Sequence, residues 1–256
     1  MGMKSNCAVI LSLLLVTAGW AAAGSGYEEI VDQIYPLEAG GTVALENVNG
    51  DVSIEIWEKD EVRMYAVKRA SSRELLDGLE IKVNAGRNAV QIDTQYPSTR
   101  HSDHERGSFM KVEYTLTVPR TARLDDIDLV NGDVTVVGVE GGMSVATVNG
   151  NIDVRDCAGD AELGTVNGAI EARVDRLAYG NRLNMESVNG QLDLYLASSI
   201  GAALEAESVN GKLRNDLGIE VHKGKYVGSD FRGSVGGGGA KVELETVNGS
   251  INVHRW

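Results

Sequence analysis

Apolar and polar residues alternate with period two through most of the chain, and the alternation is punctuated by one recurring tripeptide. Val-Asn-Gly starts at Val48, Val130, Val148, Val166, Val188, Val209 and Val247. Three positions before each Val stand Leu45, Ile127, Val145, Leu163, Met185, Ala206 and Leu244, all apolar. Five before stand Val43, Asp125, Met143, Ala161, Leu183, Leu204 and Val242, with Asp125 the exception. Two after each Gly stand Val52, Val134, Ile152, Ile170, Leu192, Leu213 and Ile251. Four after stand Ile54, Val136, Val154, Ala172, Leu194, Asn215 and Val253, with Asn215 the exception. Alternation on both sides of a fixed turn predicts two half-buried strands per unit. The residue before Val is Thr or Ser in five copies and shares the inward parity, which puts the Val out of phase and predicts a bend there.

The spacing of the units selects the architecture. Consecutive central copies lie 18, 18, 22 and 21 residues apart, and the last gap of 38 reads as two periods with one degenerate copy. Gly132, Gly141, Gly150, Gly159 and Gly168 fall nine residues apart, so one period holds two strands and two corners. A period near 20 predicts stacked coils. The fold expected is all-β, a β-solenoid of 18–22-residue coils in which Asn stacks on Asn at about 4.8 Å. Asn-Gly is also a hairpin signal, so the alternative is an antiparallel β-sandwich or meander. The Asn-Gly pairs read as structural corners that use positive φ, rather than as ligand sites.

Residues 55–125 break the repeat. Val62–Lys68, Leu79–Val83, Ala89–Thr94 and Met110–Val118 alternate like strands. Ser71-Ser72-Arg73-Glu74 is a capping box before Leu75-Leu76 and predicts one helical turn. A small β-sheet region capping the N-terminal end is expected, with residues 24–125 as one region and 126–256 as the repeat region. His254-Arg255-Trp256 would then follow a final half coil and discourage end-to-end stacking.

Residues 1–23 carry Lys4, an apolar run and Ala21-Ala22-Ala23, the pattern of a cleaved secretory signal. Export to the periplasm or cell surface follows, with no transmembrane segment in the mature chain. Cleavage leaves 23 basic against 37 acidic residues and one cysteine, Cys157. Without an intramolecular disulfide, stability must come from packing. The full chain has 31 Gly but only 3 Pro among 256 residues, so its glycines serve tight turns between strands rather than long loops. Its charge of −13 argues against nucleic acid as a partner.

Candidate chemistry is sparse. His101-Ser-Asp-His104-Glu105 has metal-ligand residue types, but in one polar loop with no second ligand-rich segment. Gly233–Lys241 lacks the phosphate-loop pattern and reads as a flexible insertion in the degenerate coil. Asp133, Asp153 and Asp193 do not hold the phase of calcium β-roll repeats. Asp125-Asp126 would be catalytic only where other carboxylates met them across coils. Cys157 reads as a small buried hydrophobe. No catalytic, cofactor-binding or metal residues are assigned, and no cofactor is expected.

The Val-Asn-Gly units, the approach through Gly41–Trp57, the strand end Tyr114-Thr-Leu-Thr-Val-Pro119 and the export signal resemble the bacterial domain-of-unknown-function family 4097, which carries the label "putative adhesin". The resemblance covers most of residues 41–253 and implies a solenoid-like envelope protein without catalytic residues. The function expected is a non-enzymatic structural or binding module of the envelope, with an envelope protein or polysaccharide as partner. A β-helical carbohydrate-active enzyme is the alternative, and self-association through the solenoid ends a third reading. The enzyme reading requires acidic groups converging in a groove with a perturbed pKa.

Overall fold

The computed structural model describes residues 26–97, 108–224 and 227–256. The export signal and the His101–Glu105 loop lie outside the described residues. In chain order the elements are β1 (Tyr27–Pro36), β2 (Thr42–Asn49), β3 (Val52–Trp57), β4 (Glu61–Ala70), α1 (Arg73–Gly78), β5 (Glu80–Ala85), β6 (Ala89–Gln95) and β7 (Met110–Pro119). There follow β8 (Arg123–Asn131), β9 (Val134–Val137), β10 (Met143–Asn149), β11 (Ile152–Cys157), β12 (Ala161–Asn167), β13 (Ile170–Val174), β14 (Arg182–Asn189) and β15 (Leu192–Leu196). The last are β16 (Ala202–Ser208), β17 (Leu213–Asn215), β18 (His222–Lys223), β19 (Ser229–Val235), β20 (Ala240–Thr246) and β21 (Ile251–Arg255).

The strands form two large mixed sheets. One runs β1-β4-β7-β3-β9-β11-β13-β15-β21-β17 and the other β18-β19-β16-β20-β14-β12-β10-β8-β2-β6-β5. Each Val-Asn-Gly corner carries the chain from the second sheet to the first. Neighbouring coils pair in parallel, copy on copy: Thr147 opposite Thr165, Asn149 opposite Asn167, Ile152 opposite Ile170. The corners are therefore not hairpins. Inward positions from both sheets make one continuous core from Leu37 to Val253. Each fully buried Leu, Ile or Val contributes about 1.5–3 kcal/mol by leaving water.

Both exceptions in the repeat have a local cause. At Asp125 the β8 register shifts against β2, so Leu124 pairs with Val43 and Ile127 with Leu45. Asp126 adopts φ 58°, a bulge that absorbs one extra residue and lets Leu124 take the buried place. At the outermost corner coil, Asn215 turns its side chain to the next turn. Its Oδ1 accepts from the Leu217 and Ile219 amides and its Nδ2 donates to the Ile219 carbonyl.

The ends are built differently from one another. Residues 55–125 cap the N-terminal end as expected, but within the two large sheets: β6 and β7 first form one more parallel coil, on β2 and β3. Antiparallel β5, β4 and β1 then close that end. The helical turn forms, but its cap is Ser72 and not the Ser71 of the capping box: the Ser72 hydroxyl accepts from the Leu75 amide at 3.2 Å, and the Ser71 hydroxyl accepts from the Phe109 amide instead. At the other end the 38-residue gap holds no degenerate coil. The chain makes β16–β17 the last of the parallel coils, covers β16 with β19 of the antiparallel pair β18–β19, and returns to insert β20 and β21 between the β14–β15 coil and β16–β17. Gly233–Lys241 is thus no insertion in a degenerate coil: it closes β19 into β20 through Gly236–Gly239, all at positive φ. The C-terminal residues do not cap the stack either. His254 stacks on Tyr195 with ring centroids 4.8 Å apart, and Arg173 lies 4.5 Å over Trp256.

Candidate functional site

The Val-Asn-Gly edge is ordered by backbone contact between coils. A Cβ on Gly132, Gly150, Gly168, Gly190, Gly249 or Gly211 would stand 1.6–2.2 Å from the carbonyl oxygen of the equivalent Gly one coil away. Only Gly50 of the seven has a positive φ. Close approach, not φ, therefore requires the glycines, which corrects the reason the sequence suggested. Six amide bonds of 2.8–3.0 Å link the seven asparagines in stack order: Asn49, Asn131, Asn149, Asn167, Asn189, Asn248, Asn210. Just inside, the hydroxyls of Thr147, Thr165, Ser187, Thr246 and Ser208 donate to glycine carbonyls of the neighbouring coil at 2.8–3.1 Å. These hydroxyls are buried and paired, which satisfies the corner where the core meets the turn.

Five of the corner valines stay within their strands, whereas Val209 and Val247 fall at the expected bend just past β16 and β20. All seven point outward and are 38–41% exposed. Two residues earlier on the same outer face runs a second row, in stack order Glu46, Asp128, Ala146, Gly164, Glu186, Glu245, Glu207. Its middle is bare. Gly164 sits inside β12, where Gly costs about 0.5–1 kcal/mol, and a Cβ there would meet nothing within 4 Å. The valine row and this hollow line an open groove of about 680 Å³, whose lining includes Asp128, Glu186, Glu207 and Glu245.

The groove is acidic at one end. Glu186, Glu245 and Glu207 pair side by side across β14, β20 and β16. Partial burial, then the neighbouring Glu186, Glu207, Glu243 and Glu205, push the Glu245 carboxyl above the ordinary Glu range. Lys241 pairs with Glu243 and Arg232 with Glu205, in the next row out. Among the described residues no cation pairs with Glu245 or Glu207. At the other end Asp128 is raised by burial and by Asp126.

Other candidates from the sequence fall elsewhere. Asp125 and Asp126 form the β8 bulge, where Arg123 reaches Asp125 at 3.4 Å. Asp133 accepts from the Asn151 amide, Asp153 pairs with Arg155, and Asp193 accepts from Gln191 and Asn252. Among the described residues no three His, Cys, Asp or Glu side chains stand together as metal ligands. Cys157 is buried, its Sγ 3.1 Å from the Arg155 carbonyl, and burial pushes its thiol up to about 11. Such a thiol is a poor nucleophile at neutral pH. The groove itself was missed from sequence. Its signal was present in the column two before each Val, where Ala146 and Gly164 interrupt a run of acids.

Comparison with known proteins gives a family and weak structural likeness. A family model described as Toastrack DUF4097 matches residues 36–254. No curated protein matches the chain. A structure from Clostridium sporogenes described as a "putative cell adhesion protein" is 16% identical with a TM-score of 0.49, covering 89% of this chain and 100% of that one. A "putative adhesin" from Bacteroides fragilis is 13% identical with a TM-score of 0.41, covering 88% and 96%. A "putative lipid binding protein" from Parabacteroides distasonis is 12% identical with a TM-score of 0.29, covering 90% and 97%.

Proposed function

The chain belongs to the Toastrack DUF4097 family, and on that premise we propose that it is an exported, non-enzymatic envelope protein. In this reading a β-solenoid serves as a binding module, and its working surface is the outer Val-Asn-Gly edge. The observation that carries the reading is the row of seven half-exposed valines beside an unfilled hollow. Packing of the core requires neither, since the inward positions already fill it. Contiguous exposed apolar rows rimmed by polar groups mark interaction surfaces. The export pattern in residues 1–23 supports action at the periplasm or cell surface.

The test is complementation in the source bacterium. A deletion strain is complemented with the wild type or with Val148→Asn/Val166→Asn/Val188→Asn, and surface adhesion and envelope permeability are scored. The expectation is a defect that the wild type restores and the exported, folded variant does not. Deletion without a phenotype in either assay overturns the reading.

A second reading, an enzyme acting on a polysaccharide, is favoured by one observation: Glu186, Glu245 and Glu207 converge on the groove with the Glu245 carboxyl raised. Glycoside hydrolysis needs such a pairing of one protonated and one ionised carboxyl. The binding reading is preferred because this row lies on an open sheet face rather than in a cleft that excludes water. Release of reducing ends from envelope polysaccharides, abolished by Glu245→Gln, would establish the enzyme instead.

A further inference from the structure

The groove has two stripes of different chemistry running along the stack. Val148, Val166 and Val188 form the apolar stripe. About two residues away, or roughly 6.6 Å along the strands, lie the bare Ala146 and Gly164 and then Glu186, Glu245 and Glu207. The lining spans six strands, from β8 to β16. At a strand spacing of about 4.8 Å the groove is roughly 24 Å long.

An occupant must match that length, that spacing and that charge. An α-helix repeats every 5.4 Å, close to one turn per strand, whereas an extended chain repeats a side chain on one face only every ~6.6 Å. A helix of about 16 residues covers ~24 Å. The short side chain of Ala146 and the absence of one at Gly164 leave room for its apolar ridge. The acidic flank calls for Lys or Arg beside that ridge, and the charge of −13 attracts such a segment from a distance.

We propose that the groove beside the Val-Asn-Gly edge receives an amphipathic α-helical peptide segment of a partner protein. Its apolar stripe lies on Val148, Val166 and Val188 over Gly164, and its basic flank faces Glu186, Glu245 and Glu207. This rests on the binding-module reading and names the chemistry of the partner. Glu245 and Glu207, without a cation among the described residues, receive the helix's basic side chains.

The test uses the purified full chain and a fluorescent Leu/Lys amphipathic helix of about 18 residues, read by anisotropy. Two controls are a scrambled peptide of equal composition and a Leu/Glu analogue. The expected result is saturable binding of the amphipathic peptide, with both controls weaker by about tenfold or more. Glu186→Gln/Glu207→Gln/Glu245→Gln should weaken binding about tenfold and flatten its salt dependence. Gly164→Leu, whose Cβ meets no atom within 4 Å, should fill the hollow and weaken binding about as much while the salt dependence persists. Equal binding of the scrambled peptide, or wild-type affinity in both variants, overturns the proposal. No peptide binding while the valine variant still fails to complement refutes the helix and leaves the binding module standing.

Discussion

The two edges of the coil stack differ in how strictly each corner copies the last. At the Val-Asn-Gly edge the link between strands keeps the same two residues, Gly and one more, from Asn131 to Val134, Asn149 to Ile152, Asn167 to Ile170 and Asn189 to Leu192. At the opposite edge the link runs over residues 138–142, 158–160, 175–181 and 197–201. The variation of 18 to 22 residues in the repeat therefore arises at one edge alone. A corner whose Gly backbone touches the next coil, with an Asn amide bonded on each side, has no room for insertion. The opposite edge has that room where its glycine stands clear, as at Gly180, although Gly141 there still lies against the Ala122 carbonyl. The difference teaches that sequence regularity here reports contact between coils, not merely a preference for turning.

Glycine substitutions should break that comparison most strongly. Gly150→Ala would put its Cβ 1.9 Å from the Gly132 carbonyl oxygen. The coils must part, at a cost of about 3 kcal/mol or more. Gly180→Ala at the opposite edge meets no atom within 4 Å, and its φ of 90° should cost only ~1 kcal/mol. Gly164→Ala, also unhindered but in a strand, should stabilise by about 0.5–1 kcal/mol. Denaturant unfolding of the full chain checks all three. Equal costs at Gly150 and Gly180 would mean that close contact does not select the corner glycines.

The asparagine ladder sharpens the same point at smaller scale. Asn149 donates to Asn131 and accepts from Asn167, while Asn210 at the end of the row makes one ladder bond, to Asn248. At about 0.5–1 kcal/mol per exposed amide bond, Asn149→Ala should cost ~1–2 kcal/mol and Asn210→Ala about half that. Equal losses at the two positions in denaturant melts would show the bonds to be incidental. Thr165→Val keeps the shape but removes the 3.0 Å bond to the Gly150 carbonyl, and should cost about 1 kcal/mol by the same measurement.

How much of this was legible follows from which contacts are local. Inward columns such as Leu163 and Ile170 were readable because period two fixes a face. Asp125 stood out as the one polar residue in its column, but the bulge behind it depends on pairing with β2 and was not readable. The order of coils at the ends was not readable. β20 and β16 carry equivalent patterns, and only the excursion through β18 and β19 decides that β20 sits against β14. The groove escaped notice because its defining residues, Ala146 and Gly164, are defined by what they leave empty. A hollow appears only when outward columns are laid side by side in stack order.

The smallest effect tests the charge of the groove against that of the antiparallel cap. Glu245 is raised by burial and by its acidic neighbours, so its ionised form is disfavoured in the fold. Its unfavourable contribution is present above the raised value and disappears as pH falls below the ordinary Glu value. Asp32 is the opposite case. The Arg63 hydrogen bond holds its carboxyl below the ordinary range, so its favourable contribution is present at neutral pH and lost as pH falls through that lowered value. Both groups are substantially exposed, which limits either effect to about 1–2 °C in Tm. Glu245→Gln should therefore raise Tm at pH 7 and leave it unchanged near the acid end of the carboxylate range. Asp32→Asn should lower Tm at pH 7 and converge with the wild type in acid. A fall in Tm at pH 7 for Glu245→Gln would mean that this carboxylate has a favourable partner within the fold, and would remove the reason to look for its cation on another chain.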